Sequence, residues 1–380
     1  MKILLTAYVR FRNALAWNTF ELARTFHSAG HDVFLCCQRE SPLAKWSGDA
    51  GLPFNADLNL NSASPGEIIN GLWTMRQIIR KFKPDIINPH CPPGHTFLAL
   101  ARRFERYRTP LIRTIADPRP PKNNPLNRWL NRRLTDGLIV TTRSSLERYE
   151  AVIGANHPPA RIILPGFRSD EFIQTVENRN YRQTLRLNDD VLLAGIIARM
   201  SPEKGQEVLL KALSLLNAED RNRLFVALAG EDSRERGRSD LEAIAQRYHV
   251  ADRVAFLGEL DDVRPLMSEL DLGIITSTRS EAICRVALEY MSFGIPVISS
   301  DVNILPEVVH HGQNGWVFPN HNAVALAECL HDAIASTEER RRRGETGAVM
   351  IKSVYDYRRE AKDYSDFFSQ HLSATESQQP

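Results

Sequence analysis

Apolar and polar positions in the first half of the chain alternate between two patterns. Short apolar runs predict buried strands, and apolar residues that recur every three or four positions predict amphipathic helices. Strands that alternate with helices in this way indicate a parallel, doubly wound sheet. The predicted strands are residues 2–7, 32–37, 85–88, 111–115 and 137–141. The predicted helices are residues 18–28, 67–81, 96–107 and 126–134.

The alternation stops in a turn-rich, polar stretch and then starts again. The second series predicts strands at residues 192–198, 224–229, 254–257, 272–275 and 296–299. Its predicted helices are residues 204–216, 239–248, 263–270 and 283–293. We therefore predict an α/β chain with two Rossmann-like doubly wound domains, residues 1–170 and 189–355, joined by a linker at 171–188.

The C-terminal segment continues the helical pattern. Residues 356–372 predict a helix that is long enough to return to the N-terminal domain, with Tyr364, Phe367 and Phe368 on its apolar face. Residues 373–380 have no apolar pattern and are predicted to be a disordered tail.

Composition narrows the class of protein. A chain of 380 residues with 43% hydrophobic and 25% charged residues is typical of a two-domain globular protein. No apolar run approaches the ~18 residues of a membrane span, and no signal peptide is recognisable. We expect a cytoplasmic protein, in contact with the inner face of the membrane if at all. The five cysteines lack Cys-x-x-Cys spacing, which predicts buried, reduced thiols.

The net charge of +2 combines a basic first half with an acidic second half. Arginines cluster around residues 102–108 and 128–133, where Leu126, Trp129 and Leu130 are interleaved. Two interpretations remain open: a solvated charged face, or a surface that contacts anionic lipid or a phosphorylated acceptor. The absence of any binding motif argues against nucleic acid as a partner.

Candidate chemistry lies where predicted strands of the second domain end, because open parallel sheets bind ligands at that edge. Arg199 and Lys204 follow the first of these strands and together can neutralise a diphosphate. Gly230 and Gly258 end two further strands and allow a flat ring to approach the backbone. Singly, each has a structural explanation: Arg199 can pair with Glu203, and Lys204 can be a solvated side chain.

The segment 281–298 predicts a helix between two apolar strands. Glu281 stands at its start, and Glu289 lies roughly 12 Å further along the axis if both are helical. The amides of Ala282, Ile283 and Cys284 would then be unpaired donors at the positive end of the helix, which is an anion site. Two carboxylates beside such a site suit the hydroxyls of a phosphorylated sugar or a nucleotide.

These motifs resemble family 4 of the retaining glycosyltransferases, in the bacterial group 1 type. The similarity rests mainly on residues 194–205 and 281–296, with the Gly312-Gln313-Asn314-Gly315 stretch that follows and Ala29-Gly30-His31 in the first half. It implies the GT-B fold, in which two Rossmann-like domains face a central cleft. It also implies a nucleoside-diphosphate sugar as co-substrate, held without a metal, and the chain contains no Asp-x-Asp pair.

The resemblance assigns roles to individual residues. Arg199 and Lys204 would hold the donor diphosphate and stabilise the leaving group, and Glu281 would contact the transferred sugar. Glu289 would bind the ribose hydroxyls, and the amides of Ala282 to Cys284 would meet the phosphate or the sugar. The expected catalytic residues are Arg199, Lys204 and Glu281.

Three departures from the family pattern concern the acceptor or sugar side. The family's glycine pair after the first strand is replaced here by a loop that ends at Asn13. Its usual Gly-Phe-Gly after the first glutamate is Ala282-Ile283-Cys284. The family's sugar-contacting histidine is replaced by Ala116, beside Asp117. We therefore consider Asn13, His90 and Asp117 as residues of the acceptor or sugar side, although a lone histidine such as His90 is more often structural.

The resulting hypothesis is a retaining, metal-independent glycosyltransferase that moves a hexose-type sugar onto a saccharide or lipid-linked acceptor. The expected setting is bacterial cell-surface polysaccharide or lipopolysaccharide synthesis. Two alternatives stay open: a non-catalytic GT-B partner subunit, and a sugar-nucleotide epimerase of GT-B fold.

Overall fold

The computed structural model describes residues 1–10, 13–62, 64–105, 109–116, 120–154, 156–177, 179–279 and 283–376. The chain forms two compact units. The first unit combines Met1–Gly166 with the segment that starts at Tyr355, and the second unit is Phe167–Val354. Within the described ranges, no helix is both long enough and apolar enough to cross a membrane.

The described residues of the first unit form seven parallel strands. Six helices of residues 14–153 connect or flank them, and a seventh comes from the C-terminal segment. The strands are β1 (Lys2–Ala7), β2 (Asp32–Gln38), β3 (Phe54–Leu58), β4 (Ile86–Pro89), β5 (Ile112–Ile115), β6 (Gly137–Val140) and β7 (Ala160–Ile162). The helices are α1 (Ala14–Ser28), α2 (Pro42–Asp49), α3 (Pro65–Phe82), α4 (Pro92–Arg103), α5 (Pro125–Arg133) and α6 (Arg143–Ile153).

The strand order is β3-β2-β1-β4 in one sheet and β5-β6-β7 in a second. A parallel bridge between Ile87 and Leu111 joins the two sheets between β4 and β5. Successive side chains of a strand point to opposite faces of the sheet, and those of the central strand β1 are buried on both faces. Ile3 and Leu5 pack in one core cluster, and Leu4 packs in the other.

The second unit is also a parallel α/β unit, and its described residues form six strands in a single sheet. They are β8 (Leu192–Ile197), β9 (Leu224–Ala229), β10 (Val254–Gly258), β11 (Leu272–Ile275), β12 (Val297–Ser300) and β13 (Gly315–Phe318). Its described helices are α7 (Ser169–Phe172), α8 (Tyr181–Thr184), α9 (Gln206–Leu215), α10 (Ala218–Asn222), α11 (Arg238–Arg247), α12 (Arg264–Met267), α13 (Arg285–Ser292), α14 (Leu305–Val308), α15 (Ala323–Ala335) and α16 (Thr337–Ser353). The strand order β10-β9-β8-β11-β12-β13 is that of a Rossmann fold.

The last helix, α17 (Tyr357–Glu376), belongs to the first unit. Tyr364, Phe367 and Phe368 are buried in the core cluster that also contains Phe26 of α1 and Ile3 of β1. The helix passes the predicted end at residue 372, so the start of the predicted disordered tail is helical through Glu376. Residues 377–380 lie outside the described ranges.

Several predicted boundaries differ from the observed ones. The predicted linker 171–188 lies in the second unit, where the amides of Tyr181 and Arg182 donate to Glu269 at 2.8 and 2.9 Å. Three strands, β3, β7 and β13, have no counterpart in the sequence prediction. All three are edge strands of five residues or fewer, and an edge strand needs less apolar surface than a central one.

All five cysteines are buried, and none forms a disulfide. Burial raises the pKa of the Cys37 thiol to about 12 and that of Cys329 to about 11. These thiols therefore act as small hydrophobic groups, as the sequence indicates.

Candidate functional site

The strands of the second unit end at one edge of its sheet, and the residues that follow them lie there. Gly230 follows β9, and its amide donates to the carbonyl of Gly258, which ends β10, at 2.7 Å. The backbone of Gly230 has φ +154°, and a Cβ there would lie 2.1 Å from the carbonyl oxygen of Ala198. The structure therefore brings Gly230, Gly258 and the backbone at the end of β8 together, as the sequence predicts.

The loop that carries Arg199 and Lys204 is fixed at several points. The side-chain amide of Gln206 donates to the carbonyl of Arg199 at 2.9 Å, and Thr276 Oγ1 donates to the carbonyl of Lys204 at 2.7 Å. The amide of Thr278 donates to the carbonyl of Glu203 at 2.7 Å. Residues 199–205 are thus held against the segment that follows β11, while the side chain of Arg199 is exposed and that of Lys204 is half-buried.

The predicted helix 204–216 needs a correction. A 3-10 turn, Pro202–Lys204, precedes α9, which begins at Gln206. Gly205 separates them with φ +65°, a left-handed conformation that ends the turn, and a Cβ there would lie 2.1 Å from the carbonyl oxygen of Thr276. Lys204 therefore belongs to a tight turn, whose position is set by the threonines beside it.

The predicted helix 283–293 also begins later than expected. Cys284 is the N-cap residue, and α13 starts at Arg285. Because Ile283 and Cys284 lie before the helix, their amides are not those of its first turn. Both residues are buried, at 6% and 1% exposure. Glu281 and Ala282 fall outside the described residues, and their predicted contacts stay predictions.

Glu289 is buried on α13 and pairs with Arg285, whose Nε donates to Glu289 Oε1 at 2.7 Å. The next residue anchors the helix. The hydroxyl of Tyr290 donates to the carbonyl of Gly195 at 2.9 Å and accepts from the amide of Ile197 at 3.1 Å. Burial raises the pKa of Tyr290, so the hydroxyl stays protonated. The helix that carries Glu289 is therefore fixed directly to β8, the strand that leads into Arg199.

The sequence prediction missed the polar residues that shape this edge. Thr276, Ser277 and Thr278 are all buried directly after β11. Ser300 Oγ donates to the carbonyl of Ser277 at 2.6 Å, and the side-chain amide of Asn320 donates to the carbonyl of Thr278 at 2.8 Å. A run of small hydroxyl residues straight after an apolar strand was the available signal, since polar groups that are buried must be hydrogen-bonded.

Two of the three acceptor-side candidates have structural roles in the first unit. The side chain of Asn13 caps α1 by accepting from the amide of Ala16 at 2.8 Å. His90 is buried, and its ring nitrogens contact Thr19 Oγ1 at 3.1 Å and Asn88 Oδ1 at 2.8 Å. Burial lowers the pKa of His90 to about 3, so the ring is neutral. For His90 this geometry favours the structural alternative over acceptor contact. Asp117 lies outside the described residues.

Known families match both units. The model described as Glycosyltransferase Family 4 matches residues 16–171, and the model described as Glycosyl transferases group 1 matches residues 177–350. Together they span most of the chain, one for each Rossmann-like unit. The chain therefore belongs to the family 4, group 1 glycosyltransferases.

Curated relatives agree with this family. The chain is 28% identical over 190 residues to the uncharacterized glycosyltransferase MJ1607 of Methanocaldococcus jannaschii, covering 48% of this chain and 47% of that protein. It is 26% identical over 216 residues to the D-inositol 3-phosphate glycosyltransferase of Jonesia denitrificans, covering 53% of this chain and 50% of that protein. The matched part thus spans about half the length of these two relatives.

Solved structures show the GT-B fold. A glycosyltransferase from Rickettsia africae has a TM-score of 0.86 at 17% identity, covering 98% of each chain. Anabaena HepE in complex with UDP-glucose has a TM-score of 0.77 at 21% identity, covering 97% of this chain and 100% of that one. The apo form of the lipopolysaccharide outer core galactosyltransferase WaaB has a TM-score of 0.77 at 16% identity, covering 97% and 100%.

Proposed function

We propose that this protein transfers a hexose-type sugar from a nucleoside-diphosphate sugar to a saccharide or lipid-linked acceptor, with retention of the anomeric configuration. The observation that carries the proposal is the fixed loop of residues 199–205 at the carboxyl edge of the second sheet. It presents two cationic side chains, Arg199 and Lys204, where open parallel sheets bind ligands. The solved complex of HepE with UDP-glucose, which shares the fold, supports this class of donor.

The proposed chemistry needs positive charge that is in place before the reaction. The leaving group is a nucleoside diphosphate, and negative charge grows on its phosphate as the glycosidic bond breaks. Arg199 and Lys204 would stabilise that charge because their loop is hydrogen-bonded to the strand ends and need not reorganise. Two cations can supply this stabilisation without a metal ion, and we propose that the reaction is metal-independent.

The remaining donor contacts follow from the positions of Gly230, Gly258 and Glu289. A Cβ at Gly258 would meet nothing within 4 Å, so the backbone there is open to a flat base, and the neighbouring Gly230 allows the close approach of the backbone at Ala198. Glu289 would accept hydrogen bonds from the ribose hydroxyls, with Arg285 orienting its carboxylate. Glu281 would contact the transferred sugar. Retention would then result because the acceptor attacks the transferred sugar on the same face from which the phosphate leaves, with the leaving phosphate guiding the attack.

The proposed setting is the synthesis of bacterial cell-surface polysaccharide or lipopolysaccharide, on the cytoplasmic side of the membrane. The fold shared with the lipopolysaccharide outer core galactosyltransferase supports this setting. The basic surface of the first unit would suit an anionic acceptor or an anionic membrane.

A thermal-shift screen with UDP-, GDP-, ADP- and CMP-sugars tests the donor class. A ligand that binds only the folded state raises the melting temperature in proportion to its affinity and concentration. We expect one base to shift the transition well beyond the others. The proposal fails if no nucleoside-diphosphate sugar stabilises the protein at millimolar concentration.

Variants then test the mechanism with that donor. Arg199→Ala and Lys204→Ala should each lower turnover about 100-fold or more, the usual effect of removing one preorganised charge-stabilising group. Arg247 and Lys211 are matched controls, because both are exposed and lie on α11 and α9. Arg247→Ala and Lys211→Ala should retain turnover within about twofold.

The product distinguishes the proposal from its alternatives. Retention predicts that the new linkage has the anomeric configuration of the donor, which one-dimensional NMR of the product reports. Turnover that persists with a chelator present supports the metal-independent reaction. Conversion of the donor sugar without any acceptor would instead identify an epimerase. Donor binding with no hydrolysis or transfer would identify a non-catalytic subunit.

A further inference from the structure

The first unit contains a cavity of about 600 Å³ beside the N-termini of α4 and α5, which we call the α4–α5 cavity. This volume falls within the range of about 300–1,000 Å³ that is typical of small-molecule sites. Much of its wall is carbon. Apolar side chains from β5, α4, α5 and the loop before α5 line it: Ile115, Phe97, Leu130, Leu126, Pro120 and Pro121.

Four prolines contribute to the apolar wall of the cavity. Pro92 and Pro93 form the first turn of α4, and Pro120 and Pro121 belong to the loop that leads to α5. Proline has a rigid ring and no N–H, so these segments present carbon surface without backbone donors.

The opposite wall is polar and rigid. Arg113 and Tyr149 are buried there, and both donate to the same acceptor, Asn131 Oδ1, at 2.7 and 3.0 Å. The side-chain amide of Asn131 in turn donates to the carbonyl of Asn127 at 2.7 Å. Because Asn131 holds both side chains, the wall keeps its place and the space in front of it stays open.

The mouth of the cavity is flanked by exposed apolar side chains. Leu126 lines the cavity and is 57% exposed, and Trp129, three residues further along α5, is 42% exposed. Large exposed apolar side chains close to an apolar cavity mark a surface that meets an apolar ligand or a lipid layer.

The charge at the mouth is positive. Lys122 lines the cavity and is exposed. Among the described residues that line the cavity, none is aspartate or glutamate. An apolar chain that carries an anionic group therefore matches the site.

We propose that the α4–α5 cavity binds the apolar chain of a lipid-linked acceptor, with the phosphate of that lipid at Lys122. The inference rests on the proposed function and selects the lipid-linked acceptor over a free saccharide. The exposed side chains of Leu126 and Trp129 then lie where the chain leaves the lipid layer and enters the protein. Charge at the mouth positions the phosphate, and burial of the chain supplies the affinity.

Binding of dodecyl phosphate, measured by calorimetry below its micelle concentration and without donor, tests the site directly. Thr96 lines the cavity on α4, and Thr96→Phe would fill it, whereas Thr96→Val keeps its volume. We expect Thr96→Phe to weaken binding at least tenfold and Thr96→Val to change it less than threefold. Equal binding by wild type and Thr96→Phe would overturn the proposal, as would absence of binding to the wild type.

A second binding experiment tests the position of the phosphate. The variant Lys122→Ala should weaken binding of dodecyl phosphate about tenfold and leave binding of dodecanol unchanged. Arg103→Ala is the matched control, because Arg103 is exposed at the opposite end of α4. Inorganic phosphate should bind at least 100-fold more weakly than dodecyl phosphate. Equal affinity for the two phosphates would show that the chain contributes nothing, and the proposal would fail.

Donor experiments separate this inference from the proposed function. Thr96→Phe should bind and hydrolyse the nucleotide sugar as the wild type does, while losing transfer to a lipid-linked acceptor. Donor turnover without binding of dodecyl phosphate would overturn the cavity proposal alone. Binding of dodecyl phosphate without any donor binding would overturn the proposed function alone.

Discussion

The hydroxyl of Tyr290 donates to the carbonyl of Gly195 at 2.9 Å, across a sequence distance of 95 residues. The same oxygen accepts from the amide of Ile197 at 3.1 Å. Tyr290 is adjacent to Glu289 on α13, and Ile197 is two residues before Arg199. One buried side chain therefore connects the two elements that carry the predicted donor contacts, and it sets where they lie relative to each other.

Tyr290→Phe should destabilise the protein by about 1–3 kcal/mol, because it leaves the carbonyl of Gly195 and the amide of Ile197 without this partner. It should also weaken donor binding, since α13 loses its anchor on β8. Denaturant unfolding and donor titration measure the two effects. Tyr248→Phe is the control: Tyr248 is partly buried on the same unit and should cost less than about 0.5 kcal/mol. Equal stability of the two variants would contradict the anchoring role.

Gly230→Ala should lower both stability and donor affinity. Its Cβ would lie 2.1 Å from the carbonyl oxygen of Ala198, so the backbone beside Arg199 must move. Gly258→Ala is the matched comparison, because Gly258 also has a positive φ, +71°, but a Cβ there meets nothing within 4 Å. It should cost only the local strain, about 1 kcal/mol. Denaturant unfolding and thermal shift with the donor should rank the two variants in that order.

Glu289→Gln should weaken binding of the nucleoside diphosphate about tenfold and leave binding of inorganic pyrophosphate unchanged. The reason is that the predicted contact of Glu289 is to ribose, not to phosphate. Calorimetric titration of both ligands checks this. Glu345→Gln is the control, because Glu345 pairs with Arg341 in the same i,i+4 arrangement on the exposed face of α16. A parallel loss of affinity for both ligands would place Glu289 at the phosphate instead.

Glu360 on α17 should make the stability of the protein depend on pH. It is buried, and burial raises its pKa to about 7. Three smaller effects lower the pKa: the hydrogen bond from the backbone amide of Gly166, the hydrogen bond from the side-chain amide of Asn18, and the positive charge of Arg359. Glu21 adds to the rise. A carboxyl whose folded pKa lies above its unfolded value stabilises the fold fully below the unfolded pKa, and this stabilisation is lost as the pH rises through about 7.

Glu360→Gln removes this titration. The unfolding free energy of the variant relative to wild type should therefore rise between pH 5 and pH 8, by at most ~3 kcal/mol. Denaturant unfolding across that range measures the difference. Glu147→Gln, at an exposed position on α6, should show no such trend. A flat difference for Glu360→Gln would mean that the buried carboxyl does not titrate with unfolding.

The strand pattern could be predicted from the sequence because central strands of a parallel sheet are buried on both faces. Residues 192–197 and 272–275 are almost wholly apolar for this reason, and both are observed as strands. The edge strands β3, β7 and β13 were not predicted, because a strand at the edge of a sheet need not be apolar on both faces. The start of α13 was placed early because a helix boundary depends on capping, and Cys284 has none of the side-chain capping chemistry that marks an N-cap.

The position of Arg199, Lys204, Gly230 and Gly258 at one sheet edge was also within reach of the sequence. Carboxyl ends of parallel strands share an edge, so residues that follow such strands must come together. The hydrogen bonds of Thr276 and Thr278 to the 203–204 backbone were not predictable, because they join residues more than 70 positions apart. His90 shows the opposite case: its type suggested chemistry, and only its buried neighbours assign it a structural role.

The sequence by itself determined two Rossmann-like α/β units, the family and the edge of the second sheet where a donor would bind. The two units and the sheet edge follow from local periodicity, because each buried strand or helix face must be apolar wherever it lies, and the family follows from the resemblance of the motifs. Only the tertiary structure decided how Tyr290 fixes α13 to β8, which core encloses α17, and where the α4–α5 cavity opens. Those features depend on side chains that are distant in sequence and meet only when the chain has folded.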